Sequence, residues 1–262
     1  MRLATADSMG EYIHGLTAQA TSLEESVRTS MMVLAALLSS ACAKGDDTAV
    51  GDSADAAAPA AGAPAANADP DRTTGGSGVP SGFMARVDSN PGRTPGNIAD
   101  AKYTKSGDMW EVVTGPHHIT WAPGDSASGN YTATARLQQA EASAHREAYG
   151  IFVGGSNMDQ PSHRYLYFVV GGTGEYMISR RDSTKVTSLK AWTASNSVPK
   201  ADASGKVAYT LAVRVAADSI RFMVNDTQVA ALPKAGLPTD GVAGLRIGHN
   251  LHLMVQPVRI TR

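Results

Sequence analysis

Tyr209, Leu211, Val213 and Val215 alternate with Thr210, Ala212 and Arg214, and Ile220, Phe222 and Val224 then alternate with Arg221, Met223 and Asn225. A period of two puts one set on one face of a strand and the other set on the opposite face. Asn225-Asp226, followed by Thr227-Gln228-Val229, predicts a hairpin. After Phe83 no stretch carries apolar residues at the i, i+3, i+4, i+7 spacing of a helix. Further strands are predicted over 109–113, 117–121, 131–137, 149–153, 165–170, 175–180, 189–192, 229–232, 244–247 and 251–261. Gly115-Pro116, Pro123-Gly124, Gly154-Gly155, Gly171-Gly172 and Asp240-Gly241 are read as the turns between them. The stretch 136–146 is read as a strand end followed by a loop. Short strands so punctuated predict an all-β sandwich or barrel.

The 40 residues 43–82 contrast with this. They hold 12 Ala, 7 Gly and 4 Pro and no aromatic residue, with Val50 and Val79 their only large aliphatics. Such a segment buries too little apolar surface to offset its ordering entropy, and Pro59, Pro64 and Pro70 interrupt any alanine helix. It is read as a disordered tether. Residues 83–262 then form one β domain, large enough for a single core. This domain carries 19 Lys plus Arg against 14 Asp plus Glu, whereas the whole chain has a formal charge of −1. The overall balance argues against a dedicated nucleic-acid binder. The mild basicity of the domain is either ordinary surface charge or an attraction to anionic glycans and envelope polymers.

Residues 31–38, Met-Met-Val-Leu-Ala-Ala-Leu-Leu, are the one strongly apolar run, far short of the roughly 20 residues that span a bilayer. They suit the apolar region of a signal peptide, followed by the small residues Ser39, Ser40 and Ala41. Cys42, the single cysteine, comes next, which rules out an intramolecular disulfide framework or a multi-cysteine zinc site. The run resembles the lipobox of bacterial lipoproteins, with Ser39 where that family prefers leucine. The resemblance implies cleavage before Cys42, lipidation of its thiol, and residence in the bacterial cell envelope on the membrane. Residues 1–26 carry Asp7, Glu11, Glu24 and Glu25, unlike a positive n-region. We therefore expect translation to start later, with Val27 a candidate, and residues 1–42 to be a misplaced start plus a signal peptide.

Within the β domain, Gly129-Asn-Tyr-Thr-Ala-Thr-Ala-Arg-Leu, Tyr149-Gly-Ile-Phe-Val-Gly-Gly, Tyr165-Leu-Tyr-Phe-Val-Val, Ile220-Arg-Phe-Met-Val-Asn-Asp and Gly241-Val-Ala-Gly-Leu-Arg-Ile-Gly form an ordered series. With the opening Trp110-Glu-Val-Val-Thr-Gly, the series resembles concanavalin A-like lectin/glucanase domains, in particular the 3-keto-disaccharide hydrolase type of bacterial secreted and lipid-anchored proteins. The resemblance spans about residues 105–262 and implies a two-sheet antiparallel β-sandwich, a jelly roll, with a carbohydrate or envelope glycan as partner. The Glu-x-Asp-x-x-Glu motif of family-16 glucanases is absent, and no catalytic residue carries over.

A sugar site combines aromatic rings with amide, carboxylate and guanidinium groups. Asp159-Gln-Pro-Ser-His-Arg-Tyr-Leu-Tyr supplies both, so His163, Arg164, Tyr165 and Tyr167 are candidate ligand contacts, with Tyr176 expected on a neighbouring strand. Trp192, in a polar stretch, and His249 with Asn250 complete the set. Each also has a plain packing or surface reading, and tyrosines on one strand face are common core residues. The adjacent His117 and His118 point to opposite faces if they lie on a strand, so one metal ion cannot take both. No cofactor or metal is expected, and no Asp-rich loop demands calcium. Three functions stay open: a carbohydrate-binding module, a glycoside-cleaving enzyme, and a structural or protein-contact domain.

Overall fold

The computed structural model describes residues 76, 78–88, 96–143 and 145–262. The signal segment, Cys42 and the tether as far as residue 75 lie outside the described residues. The strands, in chain order, are β1 (Met84–Val87), β2 (Lys102–Ser106), β3 (Met109–Val113), β4 (His118–Trp121), β5 (Ser126–Ala127), β6 (Tyr131–Gln139), β7 (Tyr149–Ser156) and β8 (Arg164–Gly171). They continue with β9 (Glu175–Asp182), β10 (Lys185–Ala194), β11 (Val207–Val215), β12 (Ser219–Val224), β13 (Thr227–Pro233), β14 (Gly241–Ile247), β15 (His252–Val255) and β16 (Arg259–Thr261). Among the described residues the only helical element is a 3₁₀ turn, Ile98–Asp100.

Two antiparallel sheets result. The first runs β1-β4-β14-β7-β8-β9-β10, with β5 on β14, and the second runs β13-β12-β11-β6-β15-β3-β2, with β16 on β6. The alternation seen in the sequence becomes the core between them. Tyr209, Leu211, Val213, Ile220, Phe222 and Val224 of the second sheet face Tyr149, Ile151, Leu166, Phe168 and Ile178 of the first in one buried cluster. The Phe168 and Phe222 rings meet across the interface at 5.4 Å between centroids. Asn225 and Asp226 turn the β12–β13 hairpin with φ of 48° and 65°, the two left-handed residues that a tight primed turn requires.

The structure corrects several boundaries. Residues 251–261 form two strands, not one: the ladder stops at Gln256-Pro257-Val258 and resumes as β16, so β6 borders β15 at one end and β16 at the other. Proline has no N–H to donate to a ladder. Gly154-Gly155 is a bulge inside β7, not a turn. Gly154 has φ +66°, and a Cβ there would lie 2.2 Å from the Pro238 carbonyl oxygen. Strands β1, β2 and β5 carried no sequence signal; β2 is an edge strand whose side chains are exposed except for Tyr103.

Candidate functional site

Register decides which side chains leave the core. In β14, Ala243, Leu245 and Ile247 point inward, so Arg246 points outward, opposite Ile119 of β4 and Gly150 of β7. In β8, Leu166, Phe168 and Val170 point inward, and Tyr165, Tyr167 and Val169 outward. The outer face of the first sheet therefore holds its own buried cluster, built on Ile119, Trp121, Phe152, Tyr165, Tyr167 and Val169.

Charge is set into this apolar face. Asp88, just past β1, has a fully buried carboxylate. Its Oδ2 accepts from Arg246 Nη1 at 2.8 Å and from the Tyr165 hydroxyl. Near Oδ1 stand Arg181 Nε and His163 Nε2, each at 3.6 Å, and Arg86 Nε at 3.9 Å. His163 Nδ1 faces the carbonyl oxygens of Gln160 and Pro161, so it carries the proton and Nε2 accepts from Arg181 at 3.2 Å. Burial alone pushes the Asp88 carboxyl up; Arg246, Arg181 and the Tyr165 hydroxyl hold it far below the usual carboxylate range. Asp88 is thus an anion at neutral pH.

The same face opens toward the start of β4 and the end of β14. Arg246 stacks over the Tyr167 ring at 4.5 Å and keeps 17% of its side chain exposed. Gly248 follows two residues later. A Cβ there would meet Glu147 Oε2 at 2.8 Å and the Ala148 carbonyl at 2.7 Å, so the missing side chain is what admits the Glu147 carboxylate. Glu147 pairs with His249 at 3.2 Å. His117, half-buried, faces outward; burial first, then Arg246, with Arg181 and His249, push its imidazole down to about 3 against the pull of Asp88. It is a neutral ring at neutral pH. Beyond Glu147, Arg146 lies over Trp192 at 4.9 Å and pairs with Glu175 at 3.4 Å. Arg146 and Glu147 also line a groove of about 300 Å³ with Gln139, Ser143, Thr173 and Asp202.

The candidates named from sequence separate accordingly. His163, Tyr165 and Tyr167 share the outer face, but all three are buried, and Tyr165 and Tyr167 serve as platforms for Asp88 and Arg246. Trp192 and His249 border the open part of that face, and exposed Asn250 turns beside His249 with φ 54°. Tyr176 sits on β9 but on the opposite face, where its hydroxyl donates to the Val229 carbonyl of the second sheet. Arg164 is exposed at the strand start and pairs with Asp182 at 3.6 Å. His118 points inward, donating from Nδ1 to the Pro116 carbonyl and accepting from Tyr103 at Nε2. His252 leaves His249 altogether and joins Glu111 at 2.8 Å on the other sheet. Asp88, Arg181 and Arg246 were not singled out. The available signal was Gly244-Leu-Arg-Ile-Gly248, an arginine flanked on its own face by two glycines within an apolar strand. Among the described residues no group of three His, Cys, Asp or Glu is arranged to hold a metal ion.

No protein-family model matches the sequence, and no curated protein matches it. Solved structures do. A carbohydrate-binding module, CBM66, from Bacillus subtilis aligns over 69% of this chain and 96% of its own, with 10% identity and a TM-score of 0.49. A family-16 endo-glucanase from Bacteroides ovatus aligns over 68% and 94%, with 10% identity and a TM-score of 0.49. A Bacillus subtilis protein with a galectin-like fold aligns over 68% and 88%, with 8% identity and a TM-score of 0.47. The strand order and pairing given above establish a two-sheet antiparallel β-sandwich.

Proposed function

We propose that this chain is a carbohydrate-binding β-sandwich, tethered by residues 43–82 to a lipid anchor at Cys42 in the bacterial cell envelope. The observation that carries the binding reading is the groove lined by Arg146 and Glu147. Arg146, which lies over the half-buried Trp192, and Glu147, which pairs with His249, both line a groove of about 300 Å³. An indole offers a face for the apolar side of a sugar ring, while the guanidinium, imidazole and carboxylate groups match hydroxyls. That volume lies at the small end of ligand sites, the size of one or two sugar residues. The fold resemblance to lectin/glucanase sandwiches supports the same reading. The anchor is supported by the apolar run 31–38, the small residues before Cys42 and the alanine-proline tether. A single acyl chain binds membranes only marginally, so stable anchoring needs the several chains that lipoprotein processing adds.

One observation favours the glycoside-cleaving alternative: the Glu147–His249 pair beside the neutral His117 places a carboxylate and two imidazoles along one site. A single experiment separates the readings. The full chain is mixed with a panel of neutral and acidic oligosaccharides and 3-keto-glycosides, and ligand-observed NMR follows the samples for hours. Saturation transfer without new signals supports the binding module. Product signals that vanish in Glu147→Gln establish the enzyme. Silence across the panel overturns both. Fatty-acid labelling of the expressed chain, abolished by Cys42→Ala, tests the anchor, and an unlabelled wild-type chain overturns it.

A further inference from the structure

The outer face of the second sheet carries four arginines. Arg214 of β11 lies between the inward-facing Val213 and Val215, Arg221 of β12 between Ile220 and Phe222, and Arg136 of β6 between Ala135 and Leu137, so each points away from the core. Arg259 of β16 borders the same face beside the inward-packed Ile260. All four are exposed, and among the described residues none has an ion pair or a side-chain hydrogen bond. Register sets Arg214 directly opposite Arg221, a like-charge pair that costs the sheet stability. Arg136 stands opposite Thr210, and Arg259 opposite Thr134. With strands about 4.8 Å apart and a rise of about 3.4 Å per residue, the four cations spread over a patch of roughly 15 by 14 Å. Thr132, Thr134, Thr210 and Ala212 lie between them, short side chains that keep the surface flat and offer no ring to a sugar. The acids bordering the face are engaged or apart. Glu111 and Glu141 share His252, Asp108 takes the Gln256 amide, and Asp218 and Asp226 sit in the turns at either end of β12 without reaching the arginines.

We infer that this face is a membrane-docking surface, on which Arg136, Arg214, Arg221 and Arg259 meet the phosphates of anionic lipid headgroups and lay the second sheet on the bilayer. A linear polyanion presents its charges in a row, whereas these cations extend in two directions on a flat face, as a plane of phosphates does. Guanidinium is the side chain suited to phosphate oxygens. Gly78, near the start of the described chain, bridges Lys102 of β2 and donates to the Ala101 carbonyl, so the polypeptide leading from the tether joins the domain at an edge of this same sheet. The inference rests on the anchored part of the reading above and extends it: the anchor keeps the domain within reach of the bilayer, and the arginines choose the side that lies down. The outer face of the first sheet is then turned away from the membrane.

The test uses the full chain with Cys42→Ala, which cannot be lipidated, floated with vesicles of phosphatidylcholine alone or mixed with phosphatidylglycerol. The apolar run 31–38 is common to both samples, so the readout is the preference for the mixed vesicles. That preference is expected to fade with salt. Each arginine near an anionic surface is worth about fivefold in partitioning, so Arg214→Gln with Arg221→Gln lowers binding to mixed vesicles about twentyfold or more. Urea unfolding of this variant shows wild-type or higher stability, because the opposed pair is relieved. Arg214→Lys with Arg221→Lys retains most of the binding. Lys185→Gln with Lys190→Gln, on β10 of the first sheet, removes the same net charge and leaves binding unchanged. An equal loss in the β10 variant means that net charge, not this face, drives binding, and overturns the inference. Equal binding to both vesicles overturns it as well. Capture of dextran sulfate without any preference for mixed vesicles assigns the face to a soluble polyanion and overturns the lipid assignment. Failure of the vesicle test leaves the anchor to be decided by fatty-acid labelling, and failure of the labelling leaves the vesicle result unchanged.

Discussion

Lowering the pH from 7 to 5 removes stability from this domain through His118, by an amount that follows from its contacts. His118 is fully buried. Its Nδ1 donates to the Pro116 carbonyl at 3.0 Å, and its Nε2 accepts from the Tyr103 hydroxyl at 2.5 Å. The neutral ring is completely satisfied. A second proton would have to go on Nε2, pointed at a hydroxyl that must then turn its own hydrogen into the core. Burial above all, with Arg246 and against the pull of the Pro116 carbonyl and Asp88, pushes the ring down to about 4. An unfolded histidine titrates near 6.5. Between those values the unfolded chain binds a proton that the folded chain refuses, so stability is full above about pH 6.5 and falls as the pH falls. From pH 7 to 5 this amounts to about 2 kcal/mol for His118. His117, pushed down to about 3, behaves in the same sense. Urea unfolding at both pH values measures the loss in wild type and in His118→Gln. The substitution lowers stability at pH 7 but shrinks the loss between pH 7 and 5 by about 2 kcal/mol. An unchanged loss in the variant would refute the account, because the titrating group would then not be His118.

Three further outcomes follow from the packing. Asp88→Asn leaves Arg246 and Arg181 facing a neutral amide, and costs about 3–5 kcal/mol in chemical denaturation. Because the folded Asp88 carboxyl titrates below its unfolded value, its contribution is full above about pH 5 and lost toward strong acid, so the variant also flattens the acid limb of the stability curve. Gly248→Ala forces a Cβ against Glu147 and the Ala148 carbonyl, lowers stability by about 1–3 kcal/mol, and weakens glycan binding by displacing Glu147. Phe222→Ala empties the centre of the inter-sheet core and costs about 3–5 kcal/mol of unfolding free energy.

The legible parts of this chain are those whose information is local. The alternation in β11 and β12 and the Asn225-Asp226 turn lie within one short window, and a two-residue period there has a single physical meaning. Tyr165 and Tyr167 were placed on one face for the same reason. Whether that face looks into solvent, core or a second buried layer depends on what crosses it, and periodicity is silent on that. Tyr176 shows the limit: its neighbouring strand was foreseen, but β9 meets β8 in a register that turns it to the inter-sheet side. Asp88 and Arg246 are 158 residues apart, and neither has a neighbour in sequence that announces the other. Edge strands such as β2, with one inward side chain, lack the alternation by which strands are recognised. Gly154-Gly155 read as a turn because a left-handed glycine serves a bulge and a turn equally well.

The strand order also dictates when this protein can fold. β14 lies between β4 and β7, and β15 and β16 border β6, so both sheets are closed by the C-terminal strands of the domain. A chain ending before Gly241 leaves β4 and β7 unjoined and one edge of β6 unpaired. No early subset of strands completes either layer, which makes assembly slow and dominated by contacts distant in sequence. The nascent domain therefore stays open until nearly its whole length has emerged.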